Sequence, residues 1–318
     1  MGKGDIWTFS EIRSLALELV SGGRSLAGNE NTVITALVAG DKGLAGDCIK
    51  YGADEVVLFP GDSSVPVEAY SHSIARLARE KEPQIILIGA TKRGKTLAAI
   101  LAEELDTGCS TEVTGLRLEE GELVAERLFY GGIAVVSETC LSRPQMATVP
   151  LHTWEAVKVD ENRQGKITEG DADLSSYPIK ILERKPKPPG TVNIEEASAV
   201  VCLGRGVGSK DDLPMMEELA ALIGGVLGGS RPLAEDLHWL PSDRFIGLSG
   251  KQTKADLLMC IGISGQVQFT TGIRDVKVVF SVDKNEKAPI FQASDYGIVG
   301  DLYQVVPLLV KELKSSKT

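Results

Sequence analysis

The residues best placed to do chemistry lie in glycine-bearing turns. Gly89-Ala-Thr-Lys-Arg-Gly94-Lys95-Thr96 matches the phosphate-loop spelling G-x-x-x-x-G-K-[ST] at each fixed position. In such a loop, backbone N–H groups and a lysine cradle phosphates at a helix N-terminus. A nucleotide-hydrolysing enzyme also needs an acidic residue at a neighbouring strand end to hold Mg²⁺. The strand ends offer Gly40-Asp41 and Ser137-Glu138, neither compelling. The plain alternative is an ordinary helix start with glycines for a tight turn. Gly204-Arg205-Gly206-Val207-Gly208 lacks the G-x-G-x-x-G spacing of a dinucleotide turn. Arg205 gives it content, because a guanidinium can clasp a pyrophosphate through two hydrogen bonds. A solvated turn arginine would read the same way. Ser249 and Ser264 also sit in glycine turns, but Lys251 and Gln266 stand where G-x-S-x-G needs glycine, so neither is a nucleophile of that type.

Metal and triad chemistry find little support. His72, His152 and His238 lie in dissimilar contexts without a carboxylate at telling spacing. The five cysteines, Cys48, Cys109, Cys140, Cys202 and Cys260, form no C-x-x-C pair. Zinc and iron–sulfur sites need close thiolates, so buried, reduced thiols of a cytosolic protein are the expectation. A net charge of −10 argues against nucleic acid or an anionic membrane as the main partner. No apolar run reaches the roughly 18 residues of a membrane span, and MGKGDIWTFSEIR carries no secretory h-region.

The turns need rigid elements to present them. Aromatics are only 5% of the 318 residues, so the core must be aliphatic, as buried parallel sheets prefer. Over the first half, strand patterns at 5–9, 32–38, 56–58 and 84–88 alternate with helical ones at 12–19 (after Ser10), 67–79 and 96–105. That alternation predicts a parallel sheet covered by helices. From Thr111 the pattern changes to a β-rich meander over 114–118, 123–129 and 133–139, closing on RPQMATVP at 143–150. Lys185-Pro-Lys-Pro-Pro-Gly190 continues neither a helix nor a central strand. It predicts a joint near 190, dividing an N-terminal α/β domain with a β-rich extension (1–190) from a second domain (191–318).

In the second domain a short apolar run ends four times in a glycine turn with a hydroxyl or charged residue: SAVVCLGRGVGSKDD, GGVLGGSRP, FIGLSGKQTKADLLMCIGISGQVQF and VVFSVDKNEKAPIFQASDYGIVGDLY. Runs of that length suit buried parallel strands. Repeated along one sheet, they build a crevice at the strand C-termini, where doubly wound α/β sheets bind nucleotides. Ser209-Lys-Asp-Asp212 reads as a capping box opening a helix, and 302–313 as a last helix.

Together, LGRGVG (203–208), GGSRP (228–232), IGLSGK (246–251), GISGQVQF (262–269) and KAPIFQASDYGIVGDLYQVVP (287–307) resemble the alpha subunit of electron-transfer flavoproteins, as do RPQMATV (143–149) and the GATKRGKT turn. The resemblance implies FAD in the second domain and a heterodimer with a beta subunit. It further implies a cytoplasmic electron carrier with no substrate pocket of its own, passing electrons from dehydrogenases of the acyl-CoA type to another redox carrier. It also implies site residues. Arg205, Ser230 and the turn Ile246, Gly247, Leu248, Ser249 would line the cofactor cleft. Arg231 would lie against the flavin and favour negative charge on the reduced ring. Ser249, where the family commonly has threonine, would reach flavin N5. Ser264 and Gly265 would offer N–H groups to the pyrophosphate, with Gln266, Val267 and Gln268 continuing that stretch. Asp301 and Leu302 would border the adenosine. Three positions depart from the family: Phe269 for histidine, Leu248 for glutamine and Asp283 for asparagine. A shifted flavin potential is expected from them. A nucleotide-hydrolysing enzyme built on Gly89–Thr96, and a flavin-free structural paralogue, are the alternatives.

Overall fold

Alternation of side chains across each strand lets a short apolar segment bury both of its faces. The computed structural model describes residues 4–28, 32–62, 65–154, 159–174, 177–179, 181–183 and 193–316. Its elements in chain order begin with β1 (Ile6–Phe9), α1 (Arg13–Ala27), β2 (Ile34–Ala39), α2 (Lys42–Lys50), β3 (Glu55–Phe59), α3 (Ser71–Lys81), β4 (Ile85–Gly89) and α4 (Lys92–Glu104). Then come β5 (Cys109–Ser110), β6 (Gly115–Glu119), β7 (Glu122–Phe129), β8 (Ala134–Glu138), β9 (Gln145–Val149) and β10 (Lys166–Glu169). The rest are β11 (Ala199–Leu203), α5 (Leu213–Leu222), β12 (Val226–Gly229), β13 (Leu257–Ile261), α6 (Val267–Thr270), β14 (Val278–Asp283), β15 (Tyr296–Val299) and α7 (Leu302–Ser316). The chain divides into two units, Met1–Lys185 and Pro186–Thr318. The proline-rich stretch expected as the joint, 185–190, lies outside the described residues.

In the first unit seven parallel strands run in the order β10-β3-β2-β1-β4-β9-β5. Ile6, Ile34, Val56, Ile85 and Leu87 face one way, under Leu15, Leu19, Val20 and Leu44 of α1 and α2. Trp7, Phe9, Leu37, Ile86 and Ile88 face the other way, under Ile74, Leu97 and Leu101 of α3 and α4. The meander is a separate antiparallel sheet, β6-β7-β8. A carboxylate ties α1 to the turn that follows β9. Glu18, almost buried, accepts the N–H groups of His152, Thr153 and Trp154 at 2.8, 2.7 and 2.9 Å. Three such bonds offset the cost of burying its charge.

Two predicted helix starts move. The 67–79 helix opens as a 3₁₀ turn, Val67–Tyr70, before α3. The helix expected from Thr96 begins at Lys92, because Thr91 caps it by accepting the Gly94 N–H at 2.8 Å.

The second unit is a five-stranded parallel sheet, β12-β11-β13-β14-β15. Val201, Leu203, Met259 and Ile261 pack under α5 and α7 through Met216, Leu219, Leu302, Val306 and Val310. Val200, Cys202, Leu258 and Cys260 face the other layer, with Ile246, Ile263, Phe269, Ile273 and Ile290. The fourth glycine-ended run splits into two strands, β14 and β15. FIGLSG is a loop, bridged to the end of β12 where the Ile246 N–H donates to Gly229 O at 2.9 Å.

Candidate functional site

The order β12-β11-β13 means that the chain leaves β11 to one side and later crosses to the other. The crevice of such a sheet opens between those two strands, beyond their C-termini. Here the loops after β11 and β13 meet backbone to backbone. A Cβ at Gly206 would lie 2.6 Å from the Gly262 Cα, so neither wall tolerates a side chain at the contact. The Gly204 N–H donates to Ile261 O at 2.9 Å and the Gly206 N–H to Gly262 O at 3.0 Å. The loop after β12 joins the same row, with Ser230 N–H on Leu203 O at 2.8 Å. At the far side, the Gly300 N–H donates to Asp283 O at 3.1 Å. From β12 to β15 is four strand spacings, about 19 Å, enough for an extended dinucleotide.

The residues implied for the site fall along this row, but not all show a side chain to it. Arg205 is exposed, and among the described residues no carboxylate pairs with it. Ser264 and Gln266 are exposed, and the N–H groups of Ser264, Gly265 and Gln266 find no acceptor among the described residues. Gly265 adopts φ +81°, and a Cβ there would collide with the backbone of Ile290, so the position demands glycine. Arg231, with a side chain 63% exposed, holds Glu235 Oε2 from its Nε at 2.6 Å, one turn on. Leu248 and Val267 are 47% and 60% exposed, and the Leu248 N–H donates to Gln268 O at 2.7 Å, docking the 246–249 turn on the start of α6. Ser249 and Gln268 are exposed beside it. Asp283 accepts the Asn285 N–H at 2.8 Å, and Asp301 caps α7 by accepting the Tyr303 N–H at 3.0 Å.

Three side chains turn away. Ile246 and Phe269 belong to the core under the loops, Phe269 at 7% exposure, and Leu302 packs beneath α7. At these positions only the backbone borders the crevice. One pair escapes sequence reading altogether. The Gly208 N–H donates to Tyr303 Oη at 2.8 Å, and the Tyr303 hydroxyl donates to Asp212 Oδ2 at 2.7 Å. No local signal links residues so far apart in the chain.

An unpaired guanidinium, free backbone N–H groups at a glycine-walled bend and a row of this length fit the chemistry of FAD, whose pyrophosphate needs cationic and N–H donors.

The Gly89–Thr96 turn is different. Lys92, Arg93 and Gly94, which a phosphate loop would wrap around its ligand, are already helical in α4. The N–H groups of Ala90, Thr91 and Lys95 donate to Val149 O, Gly89 O and Thr91 O, and that of Gly94 to the Thr91 hydroxyl. Lys95 Nζ pairs with Glu112 Oε1 at 2.6 Å. Among the described residues no group of His, Cys, Asp and Glu is arranged to hold a metal ion, and no helix is long and apolar enough to cross a membrane.

Comparison with known proteins agrees with this geometry. Residues 9–175 match the family model "Electron transfer flavoprotein domain", and residues 193–274 match "Electron transfer flavoprotein FAD-binding domain". The chain is 37% identical over 326 residues to the electron transfer flavoprotein subunit alpha of Thermoanaerobacterium thermosaccharolyticum, covering 98% of each chain. It is 38% identical over 257 residues to the putative electron transfer flavoprotein subunit YdiR of Escherichia coli, covering 81% of this chain and 82% of that one. With protein FixB of Clostridium saccharobutylicum the identity is 34% over 327 residues, covering 97% and 96%. Alpha subunits of this family carry electrons and pair with a beta subunit. The chain belongs to the electron transfer flavoprotein alpha subunit family, and FAD is its cofactor.

Proposed function

We propose that the crevice beyond β11 and β13 holds FAD, and that the chain passes electrons from dehydrogenases of the acyl-CoA type to a downstream redox carrier. The observation that carries the site is the coincidence, at one switch point, of Arg205 and the N–H groups of Ser264, Gly265 and Gln266, none of which finds a partner among the described residues. These groups take the pyrophosphate. Arg231 and Ser249 lie toward the flavin, with Ser230 and the 246–248 turn as the wall beside them. Asp283 and Asp301 lie toward the adenosine, where a carboxylate accepts from ribose hydroxyls. Gln266, Val267 and Gln268 flank the pyrophosphate, while Ile246, Phe269 and Leu302 contribute backbone only.

Bound FAD supplies the electron chemistry, and the chain supplies orientation and charge. Arg231 favours negative charge on the flavin, and Glu235, in contact with it, offsets part of that effect. This reading has the chain acting as a carrier without a substrate pocket of its own. The N-terminal domain, residues 1–190, serves as scaffold and subunit interface. Phe129, Tyr130, Ile133, Val135 and Leu141 stand exposed on and beside its meander, an apolar surface of the kind that marks a partner. The five free cysteines suit a cytoplasmic setting.

The test is to copurify the chain with its beta subunit, measure flavin stoichiometry, and then offer an acyl-CoA with its dehydrogenase as reductant. Flavin bound in the parent and weakened by Arg205→Ala supports the site. Flavin that dithionite reduces but the dehydrogenase does not would remove the donor class.

A further inference from the structure

Every backbone N–H from Gly204 to Ser209 except that of Arg205 has a protein acceptor. Gly204 and Gly206 are held by the end of β13, and Val207 by Gly204 O at 3.1 Å. Ser209 donates to Asp212 Oδ2 at 3.0 Å within the capping box that opens the next helix. The remaining one, Gly208, donates to Tyr303 Oη from across the sheet end. That phenol then donates to the same Asp212 oxygen. One hydroxyl therefore joins the turn carrying Arg205 to the first turn of α7, two residues from Asp301.

Packing does not explain the hydroxyl. Leu302, Val306 and Val310 anchor α7 in the core, while the Tyr303 ring is 43% exposed. A phenylalanine would keep the same ring contacts. Without the hydroxyl, the exposed Gly208 N–H turns to water, which costs little folding stability. What is lost is fixed geometry in a turn that must meet its ligand with a guanidinium, and such ordering is then charged against binding. The Asp212 carboxylate, followed by burial, raises the Tyr303 phenol above its ordinary value, while the Gly208 N–H acts in the opposite sense. The phenol thus remains a donor through neutral and mildly alkaline pH.

We propose that Tyr303 is a positioning residue for FAD: its hydroxyl locks the Arg205 turn to the N-terminus of α7, so that Arg205 and Asp301 stand in register before the cofactor arrives. The inference rests on the reading of this crevice as the FAD site. It is tested on the complex with the beta subunit, stripped of flavin and titrated with FAD by fluorescence quenching. Tyr303→Phe raises the dissociation constant about 3- to 10-fold, the worth of one neutral hydrogen bond or a little more. The melting temperature of the flavin-free complex stays unchanged. Arg205→Ala raises the dissociation constant about 10- to 100-fold. The double variant falls short of the product of the two losses, because Tyr303 acts through the turn that Arg205→Ala has already disarmed. Parental affinity in Tyr303→Phe, or losses that multiply fully, overturns the proposal. Parental affinity in Arg205→Ala removes the crevice reading itself, and this inference with it.

Discussion

The two units carry the same device in opposite states. Each is a parallel sheet with a switch point, between β1 and β4 in the first and between β11 and β13 in the second. Each places a glycine turn with a basic residue there. In the first unit, Ser10 packs so closely on Gly89 that a Cβ would lie 2.7 Å from its Oγ. Glu11 takes the Thr91 hydroxyl, Thr91 caps α4, and Lys95 is paired with Glu112. In the second, Arg205 and the N–H groups after Ile263 are unspent. The spelling G-x-x-x-x-G-K-[ST] is complete in the unit where the turn's lysine and the N–H groups of Ala90, Thr91, Gly94 and Lys95 are engaged, and no standard spelling occurs in the unit where Arg205 and three successive N–H groups find no acceptor among the described residues. A binding site is made by hydrogen-bonding capacity left over after folding, and letters alone do not report it.

Five measurements sharpen or break this contrast. The largest effect is expected at Phe269. If its ring belongs to the core, Phe269→Ala costs about 3–5 kcal/mol in denaturant unfolding. A loss near zero with weakened flavin would return that side chain to the crevice. Next is Arg205→Ala, with FAD affinity down about 10- to 100-fold in equilibrium titration; an unchanged affinity would erase the difference between the two switch points. Third is thiol reactivity. Burial pushes Cys48, Cys109 and Cys260 up to about 12, and Cys202 well above its ordinary value. Burial also pushes Cys140 up, but bonds from the Ser142 hydroxyl and N–H, the Thr107 hydroxyl and the Gly108 N–H outweigh it and lower the thiol. A lowered value means more thiolate at neutral pH. Cys140 should therefore alkylate first, by about a factor of ten or more, as mass spectrometry of partly labelled protein would show.

The fourth is Glu235→Gln. Freeing Arg231 should make the flavin potential more positive by at most about 40 mV, the equivalent of an exposed ion pair; a shift to more negative values would place Arg231 away from the ring. The smallest is Lys95→Ala. An exposed pair with Glu112 is worth less than about 1 kcal/mol, and FAD binding should not change. Magnesium-dependent ATP turnover that vanished with Lys95 would reopen the first switch point as a site.

Much of this architecture is written locally. The apolar runs at 34–39, 85–89, 199–203 and 257–261 could bury two faces only inside a parallel sheet, and the glycine endings of the last two marked the crevice edge. The boundaries that shifted did so for local reasons too, as when Thr91 capped α4 and moved its start from Thr96 to Lys92. Other elements had no local signal. β10, Lys166–Glu169, is polar and joins the sheet only by pairing with β3, and Cys109–Ser110 is a strand only because Met146 and Ala147 lie alongside.

The periodicity and turn chemistry of this chain were enough for two parallel α/β layers and a row of glycine turns at the strand ends of the second, while the assignment of Arg205 to a cofactor came only through the family resemblance. The layers and turns depend on a few neighbouring residues at a time. Which way Phe269 and Leu302 point, which N–H groups stay unpaired, and that Tyr303 ties down Gly208 depend on groups brought together from distant parts of the chain. Hydrogen bonds and burial are settled between neighbours in space, so only the folded molecule decides them.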